Sequence, residues 1–141
     1  MSNIPITVSS LAALATQELG LINAKEGNTI VFSVRCTYGA AAINPLRTEI
    51  FFSADGSNYD TIPFTFEDVD LDGLDIVDGS TFQKSFMVEM PRDGFISARV
   101  RNLDAVTAVT SILVWNNVAM RRVNIHLKID NKGDIVDQTI Y

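Results

Sequence analysis

The chain has 141 residues, 47% of them hydrophobic, with 17 acidic and 11 basic side chains, one cysteine and a formal charge of −6. That length suits one domain with a core of its own, a single cysteine excludes an intrachain disulfide, and the charge argues against a sequence-independent nucleic-acid binder, whose affinity rests on clustered Lys and Arg. No stretch approaches the roughly 18 continuous apolar residues of a membrane span, and the N-terminus has no basic segment leading into an apolar one, so the chain is expected to fold in the compartment where it is made.

In chain order, residues 4–24 are the least regular. Leu11, Leu14 and Ala15 fall at helical spacing, yet Ile6-Thr7-Val8 before them and Leu19-Gly20-Leu21-Ile22 after them read as extended, which favours a first strand or arm with an irregular continuation. After the Lys25–Asn28 turn, TIVFSVRCTY alternates without a break. Ile30, Phe32, Val34, Cys36 and Tyr38 are expected inside, and Thr29, Val31, Ser33, Arg35 and Thr37 outside. Cys36 thereby reads as a small buried apolar side chain.

A small-residue loop, Gly39–Ala42, leads past Pro45 to a strand over Leu46–Ser53. At Ala54-Asp55-Gly56 the glycine can supply the positive φ of a tight turn. Ile62, Phe64 and Phe66 then alternate with Pro63 and Thr65, and the proline points to an edge strand. An acidic loop, Glu67–Gly79, crosses to a strand over Thr81–Met90, where Phe82, Phe86, Val88 and Met90 share a face that Lys84 interrupts.

The stretch from Pro91 to Val114 is read as the organising pair of strands. An Arg92-Asp93-Gly94 turn enters FISARVRN, in which Ile96, Ala98 and Val100 oppose Ser97, Arg99 and Arg101. A tight turn at Leu103-Asp104 is expected to bring AVTAVTSILV back against it, with β-branched residues on both faces and Trp115 at its end. Val118–Tyr141 reads as a β-hairpin: Val123, Ile125, Leu127 and Ile129 alternate with Asn124, His126, Lys128 and Asp130 before an Asn131–Asp134 turn.

Strands this short, spaced at turns every 8–12 residues or so, predict an all-β domain, an antiparallel β-sandwich or jelly roll with a C-terminal β-hairpin arm. Residues 1–117 are expected to form the core with its N-terminal arm, and 118–141 the hairpin arm.

Catalytic motifs are lacking, and no enzyme is expected. The single histidine, His126, accompanies no nucleophile of the G-x-S-x-G kind, one His and one Cys cannot make a usual zinc site, and no glycine-rich nucleotide loop is present. Asp68, Asp70 and Asp72, at spacing two and followed by Gly73, match the opening of a calcium loop, to which Asp75 or Asp78 could add a ligand. The twelfth position is Gly79 where a bidentate Glu is expected, which leaves a solvated acidic loop as the default reading and calcium as the one cofactor considered.

Charge is unevenly spread. Between Arg47 and Lys84 the sequence has 9 acids and no basic residue, and the remainder has a balance of +3. One acidic side and a weakly basic remainder suit a charge-complementary contact between copies or a bound cation.

The pattern Ser53-x-Asp55-Gly56-x-x-Tyr59-Asp60-Thr61 resembles a hairpin segment of small β-sandwich virion proteins of tailed bacteriophages, among them head-decoration and tail-associated proteins. Pro91-Arg92-Asp93-Gly94-Phe95, leading into Ala98–Asp104, is similar to the strand and turn that close such domains. The resemblance implies a structural role in the virion, as a repeated copy on a major capsid or tail protein. On this reading the chain forms a homo-oligomer, a trimer being the form considered, without nucleic acid or membrane. The expected interface comprises Val123, Ile125, Leu127 and Ile129 of the hairpin, with Arg99, Arg101, Arg121 and Arg122 meeting a neighbour's acidic interval. The alternative is a carbohydrate-binding module on the same fold, calcium-stabilised through Asp68, Asp70 and Asp72, with Tyr59, Trp115 and Tyr141 as its aromatic candidates.

Overall fold

The computed structural model describes residues 6–24, 26–71, 73–74, 76–90, 92–119, 125–129 and 135–140. The regular elements among these described residues are ten strands: β1 (Ile6–Leu11), β2 (Thr16–Ala24), β3 (Thr29–Tyr38), β4 (Leu46–Ser53), β5 (Thr65–Val69), β6 (Thr81–Glu89), β7 (Gly94–Asn102), β8 (Val109–Ala119), β9 (Ile125–Ile129) and β10 (Ile135–Ile140). The first eight form two four-stranded antiparallel sheets, one in the order β1-β8-β3-β6 and the other β2-β7-β4-β5.

Pairing follows one rule. β1 pairs with β8, β2 with β7, β3 with β6 and β4 with β5, and the pairs β3·β8 and β4·β7 complete each sheet. A chain whose first half pairs with its second half in reverse order is a long hairpin rolled over on itself, which is the jelly-roll form of the sandwich. β9 and β10 pair antiparallel with each other in a separate two-stranded sheet.

The core lies between the sheets and follows the period of two. Ile30, Phe32, Val34, Cys36 and Tyr38 of β3 are buried as their alternation predicts, against Leu46 and Ile50 of β4, Ile96, Ala98 and Val100 of β7, and Val109, Ile112 and Val114 of β8. Phe32 stacks on Phe86 with ring centroids 5.3 Å apart. Each fully buried Ile, Val or Phe contributes about 1.5–3 kcal/mol relative to exposure, so the four strands that supply most of this set carry most of the stability. Burial also pushes the Cys36 thiol up to about 11.

Residues 94–114 do organise the fold, but as a corner and not as a paired ribbon. β7 and β8 belong to different sheets, and residues 103–108 carry the chain across from one to the other. The alternation of a strand shows which residues are buried but not which strand lies beside it. The polar residues at this corner decide the matter. Asn102 and Asp104 are buried, and they satisfy the backbone of three crossing loops. The Asn102 side chain donates to the carbonyls of Leu11, Ala12 and Thr107. Asp104 accepts from the amides of Ile43, Asn44, Val106 and Thr107. A buried backbone amide without a partner costs about 1–3 kcal/mol, so these side chains replace the ladder bonds a hairpin turn would have made.

Residues 12–15, the irregular continuation after the first strand, are a second corner and not a helix. Leu14 turns there with φ 58°, and its amide donates to the Asp104 carbonyl at 3.1 Å. In β8, Ser111 has φ 51° beside the register shift opposite Arg35 and Thr37, a bulge that re-aims the strand. Tyr38 ties the two sheets together: its hydroxyl donates to the Val69 carbonyl and accepts from the Leu46 amide at 2.8 Å.

Candidate functional site

The outer face of the β2-β7-β4-β5 sheet gathers chemistry that no single segment displays. Registry places Glu18, Arg99, Glu49 and Phe66 in one row across the four strands, with Arg101, Arg47 and Asp68 in the next. Directly opposed side chains on one face are near enough to interact, and here they do. Arg99 Nε donates to Glu49 Oε1 at 2.9 Å, and its guanidinium lies 4.5 Å from the Phe51 ring centre. Arg47 grips Asp68 with two bonds, of 2.7 and 3.0 Å, and lies 4.0 Å over the ring of Phe66. Glu49 and Phe51 are buried by this cover although they face away from the core.

Beside these rows rises the loop from Ser53 to Thr61. The Asp-Gly turn lies within residues 54–64, so it folds the long β4–β5 connection and does not close a two-residue hairpin. Gly56 has φ 81°, and a β-carbon there would stand 3.2 Å from the Phe95 ring, which accounts for glycine at this point. Asp55 holds the loop from within: it accepts from the amides of Ser57 and Asn58 and from the Asn58 and Ser53 side chains. The Asn58 and Ser57 amides, ahead of those side chains, hold the carboxyl well below the usual carboxylate range. Between this loop and the sheet lies an open groove of about 400 Å³, lined by Glu18, Phe51, Tyr59, Asp60, Thr61, Ser97 and Arg99. The Tyr59 hydroxyl is buried and has no hydrogen-bond partner; desolvation, with the charge of Asp55 second, raises its pKa.

At the edge of the sheet the apolar alternation of residues 62–66 is present but faces outward. Phe66 pairs with Glu49 in register, and the Phe64 amide extends the ladder to the Ile50 carbonyl at 2.6 Å. Ile62, Phe64 and Phe66 are therefore exposed, while Val69 turns inward. β5 is an edge strand, and it begins at Thr65, two residues after Pro63. The loop that follows exposes Leu71, Leu74 and Ile76 as well.

The acidic interval is partly neutralised by the two basic residues that bound it. Arg47 holds Asp68, and Lys84 reaches from β6 in the opposite sheet to Glu67 Oε1 at 3.0 Å, Asp70 Oδ1 at 3.5 Å and the Asp68 carbonyl at 3.1 Å. The residue that interrupts the apolar face of β6 thus clamps the edges of the two sheets. Desolvation lowers the Lys84 pKa, but the hydrogen bond and charge of Glu67, with Asp70, outweigh it and the net shift is upward. The Asp70 carboxylate, itself buried, also accepts the Gly73 amide. Of the three carboxylates considered for calcium, Asp68 and Asp70 are thus engaged by cations of the chain itself. Asp72, like Asp75, lies outside the described residues. Among the described residues no group of three or more His, Cys, Asp or Glu side chains is arranged to hold a metal ion.

Of the expected interface residues, Arg99 is engaged within its own sheet, and Arg101 is exposed beside it. Ile125, Leu127 and Ile129 fall on β9, where Ile125 and Ile129 stand in register with Ile140 and Ile135. Arg121, Arg122, Val123 and Tyr141 lie outside the described residues. Sequence reading missed Glu18, Glu49, Phe64 and Phe66. A lone acid within a strand carries no signal until its cross-strand partner is known.

No helix of the described residues is long and apolar enough to cross a membrane. No family model matches the chain, and no curated protein does. Among 27 matching chains of solved structures is one from the structure of infectious bursal disease virus Gx strain, 9% identical, at a TM-score of 0.38; the match covers 84% of this chain and 33% of that one. Another is a family GH115 4-O-methyl-alpha-glucuronidase with specificity for decorated arabinogalactans, 13% identical, at a TM-score of 0.35, covering 79% of this chain and 14% of that one. The chain therefore spans a third or less of the length of both. Its fold class rests on its own strand pairing, which is that of an all-β sandwich of two antiparallel sheets.

Proposed function

We propose that this protein is a non-enzymatic structural subunit of a tailed-phage particle, a capsid-decoration or tail-associated protein that assembles by contacts between copies. The observation that carries the reading is the division of the strands. Eight of them close a jelly roll, and β9 and β10 pair with each other outside both sheets. An isolated two-stranded ribbon is marginal in water and gains stability by covering another surface, and in a repeated assembly that surface is on a neighbour. Ion pairs at such a contact set register, and apolar burial supplies the affinity.

The test is deletion of residues 123–141 from the full chain. Loss of the oligomer by light scattering, with the sandwich retained by circular dichroism, is the expected result. An unchanged subunit count would remove the ribbon from the assembly. Electron microscopy of particles would then locate the protein on head or tail.

A second reading, a saccharide-binding module, is favoured by the groove beside the Asp55 loop. Its open form and its mixture of Tyr59, Asp60, Arg99 and Ser97 suit a ligand with many hydroxyl groups. A glycan array probed with the full chain separates the two readings: saccharide binding lost on Arg99→Ala, by a monomer, would replace the first.

A further inference from the structure

The groove beside the Asp55 loop is the place on the outer face where charge pairing is left incomplete. One wall is the sheet, on which Glu18 of β2 and Arg99 of β7 stand in register; the other is the loop, with Asp60 and Thr61. Glu49 takes the Arg99 Nε at 2.9 Å, and among the described residues the two Nη groups of the same guanidinium have no hydrogen bond. The Glu18 carboxylate has one long contact, 3.5 Å from the Ser97 hydroxyl. The Asp60 carboxylate has no partner among the described residues. In the next row, by contrast, Arg47 and Asp68 are closed on each other by two bonds.

This set of groups selects the charge of a ligand. A carboxylate only accepts hydrogen bonds and a guanidinium only donates them. A phosphate, sulfate or carboxylate entering the groove would meet Arg99 but also two carboxylates with nothing to give it. An ammonium group would meet the carboxylates but also Arg99. A hydroxyl both donates and accepts, so an uncharged ligand dense in hydroxyl groups answers both walls at once. Phe51 and Tyr59, also in the lining, add apolar surface for the C–H face of a sugar ring.

The groove is also built in advance. Its volume of about 400 Å³ is that of a small-molecule site. The loop wall is held from within: Asp55 accepts the Ser57 and Asn58 amides, and the Ser53 hydroxyl accepts the amides of Asp55 and Gly56. Little ordering cost is then left for binding.

We propose that this groove binds an uncharged saccharide and rejects charged ones, with Arg99 donating to the sugar's oxygens and Glu18 and Asp60 accepting from its hydroxyl groups, an inference that rests on the second reading above. Glu49 is a positioning residue, since it holds the Arg99 Nε and leaves the Nη groups to the ligand.

The experiment applies the full-length chain to an array of neutral oligosaccharides of glucose, galactose, mannose and N-acetylhexosamine, beside uronate-bearing, sulfated and free-amino members, and measures the dissociation constant of each bound member by calorimetry. Binding of neutral members alone is the expected result. Glu18→Ala and Asp60→Ala, both at exposed positions, should each raise the constant about tenfold or more, the range of a hydrogen bond to a charged group, with the melting temperature unchanged. Glu18→Gln with Asp60→Asn should admit uronate-bearing members. Charged members bound as tightly as neutral ones by the wild-type chain would overturn this inference and leave the saccharide reading intact, and so would neutral binding that neither alanine variant weakens. Binding of no member would overturn both.

Discussion

Asp104 Oδ2 accepts the backbone amide of Ile43 at 2.8 Å, so the loop leaving β7 holds the loop leaving β3. With the Asn102 bonds to Leu11 and Ala12, three crossings at one end of the sandwich converge on two buried polar side chains.

Replacing Asp104 with Asn leaves buried amides facing a donor, and the expected loss is about 2–4 kcal/mol of folding stability by urea titration. The amides of Ile43, Thr107 and Val106, with Asn44 behind them, hold the carboxyl well below the usual carboxylate range, and in the unfolded chain it titrates near 3.9, to an order of magnitude. Between those two values the unfolded chain binds the proton and the folded chain does not. This part of the stability is therefore complete above the unfolded pKa and is lost as pH falls through the folded one. Asp104→Asn should flatten the acid limb of stability against pH; an unaltered limb would contradict the assignment.

Lys84→Met removes the clamp between β5 and β6 and takes one cation from the buried Asp70. The expected cost is about 1–2 kcal/mol, since the lysine itself is partly solvated. Because the folded Lys84 pKa is raised, its contribution is present below the unfolded pKa and disappears as pH rises through the folded value. The wild-type chain should lose that increment in alkali and the variant should not. Calcium would have to displace Lys84 and Arg47 from Asp70 and Asp68, so the melting temperature of the wild-type chain is expected to be the same in calcium as in chelator. A clear rise with calcium would contradict this.

Thr48 is fully buried, and its hydroxyl has no hydrogen-bond partner. Thr48→Val keeps the shape and removes the unsatisfied group, so the variant is expected to be more stable, by about 0.5–1.5 kcal/mol. A loss of stability in thermal melts would show that the hydroxyl has a role in the core.

Cys36 combines full burial with a thiol pushed up to about 11. A disulfide reagent at neutral pH should react with it only through transient opening, orders of magnitude more slowly than with the chain in denaturant. Prompt labelling of the folded protein would refute this picture of β3.

Much of the architecture was legible locally. β4 spans Leu46–Ser53 as read, β3 spans Thr29–Tyr38 with its predicted face buried, and the edge strand β5 begins two residues after Pro63. Period-two alternation states burial directly, because each strand presents one face to the core. The candidate site was not legible. Arg99 was read as available to a neighbour, yet Glu49, fifty positions away, holds it. Phe64 and Phe66 carry the composition of a core, yet Phe66 stands in register with Glu49 on the outer face and both are exposed.

The sequence by itself determined that this protein is all-β, where its principal strands lie and which faces are apolar, since those properties are set between residues one and two positions apart. Only the tertiary structure decided that β7 and β8 part into different sheets, that Lys84 and Arg47 close on the acids between them, and which apolar side chains remain uncovered. Strand partners and charge partners are chosen among residues tens of positions apart, where hydrogen-bond satisfaction across the whole corner, and not local pattern, sets the outcome.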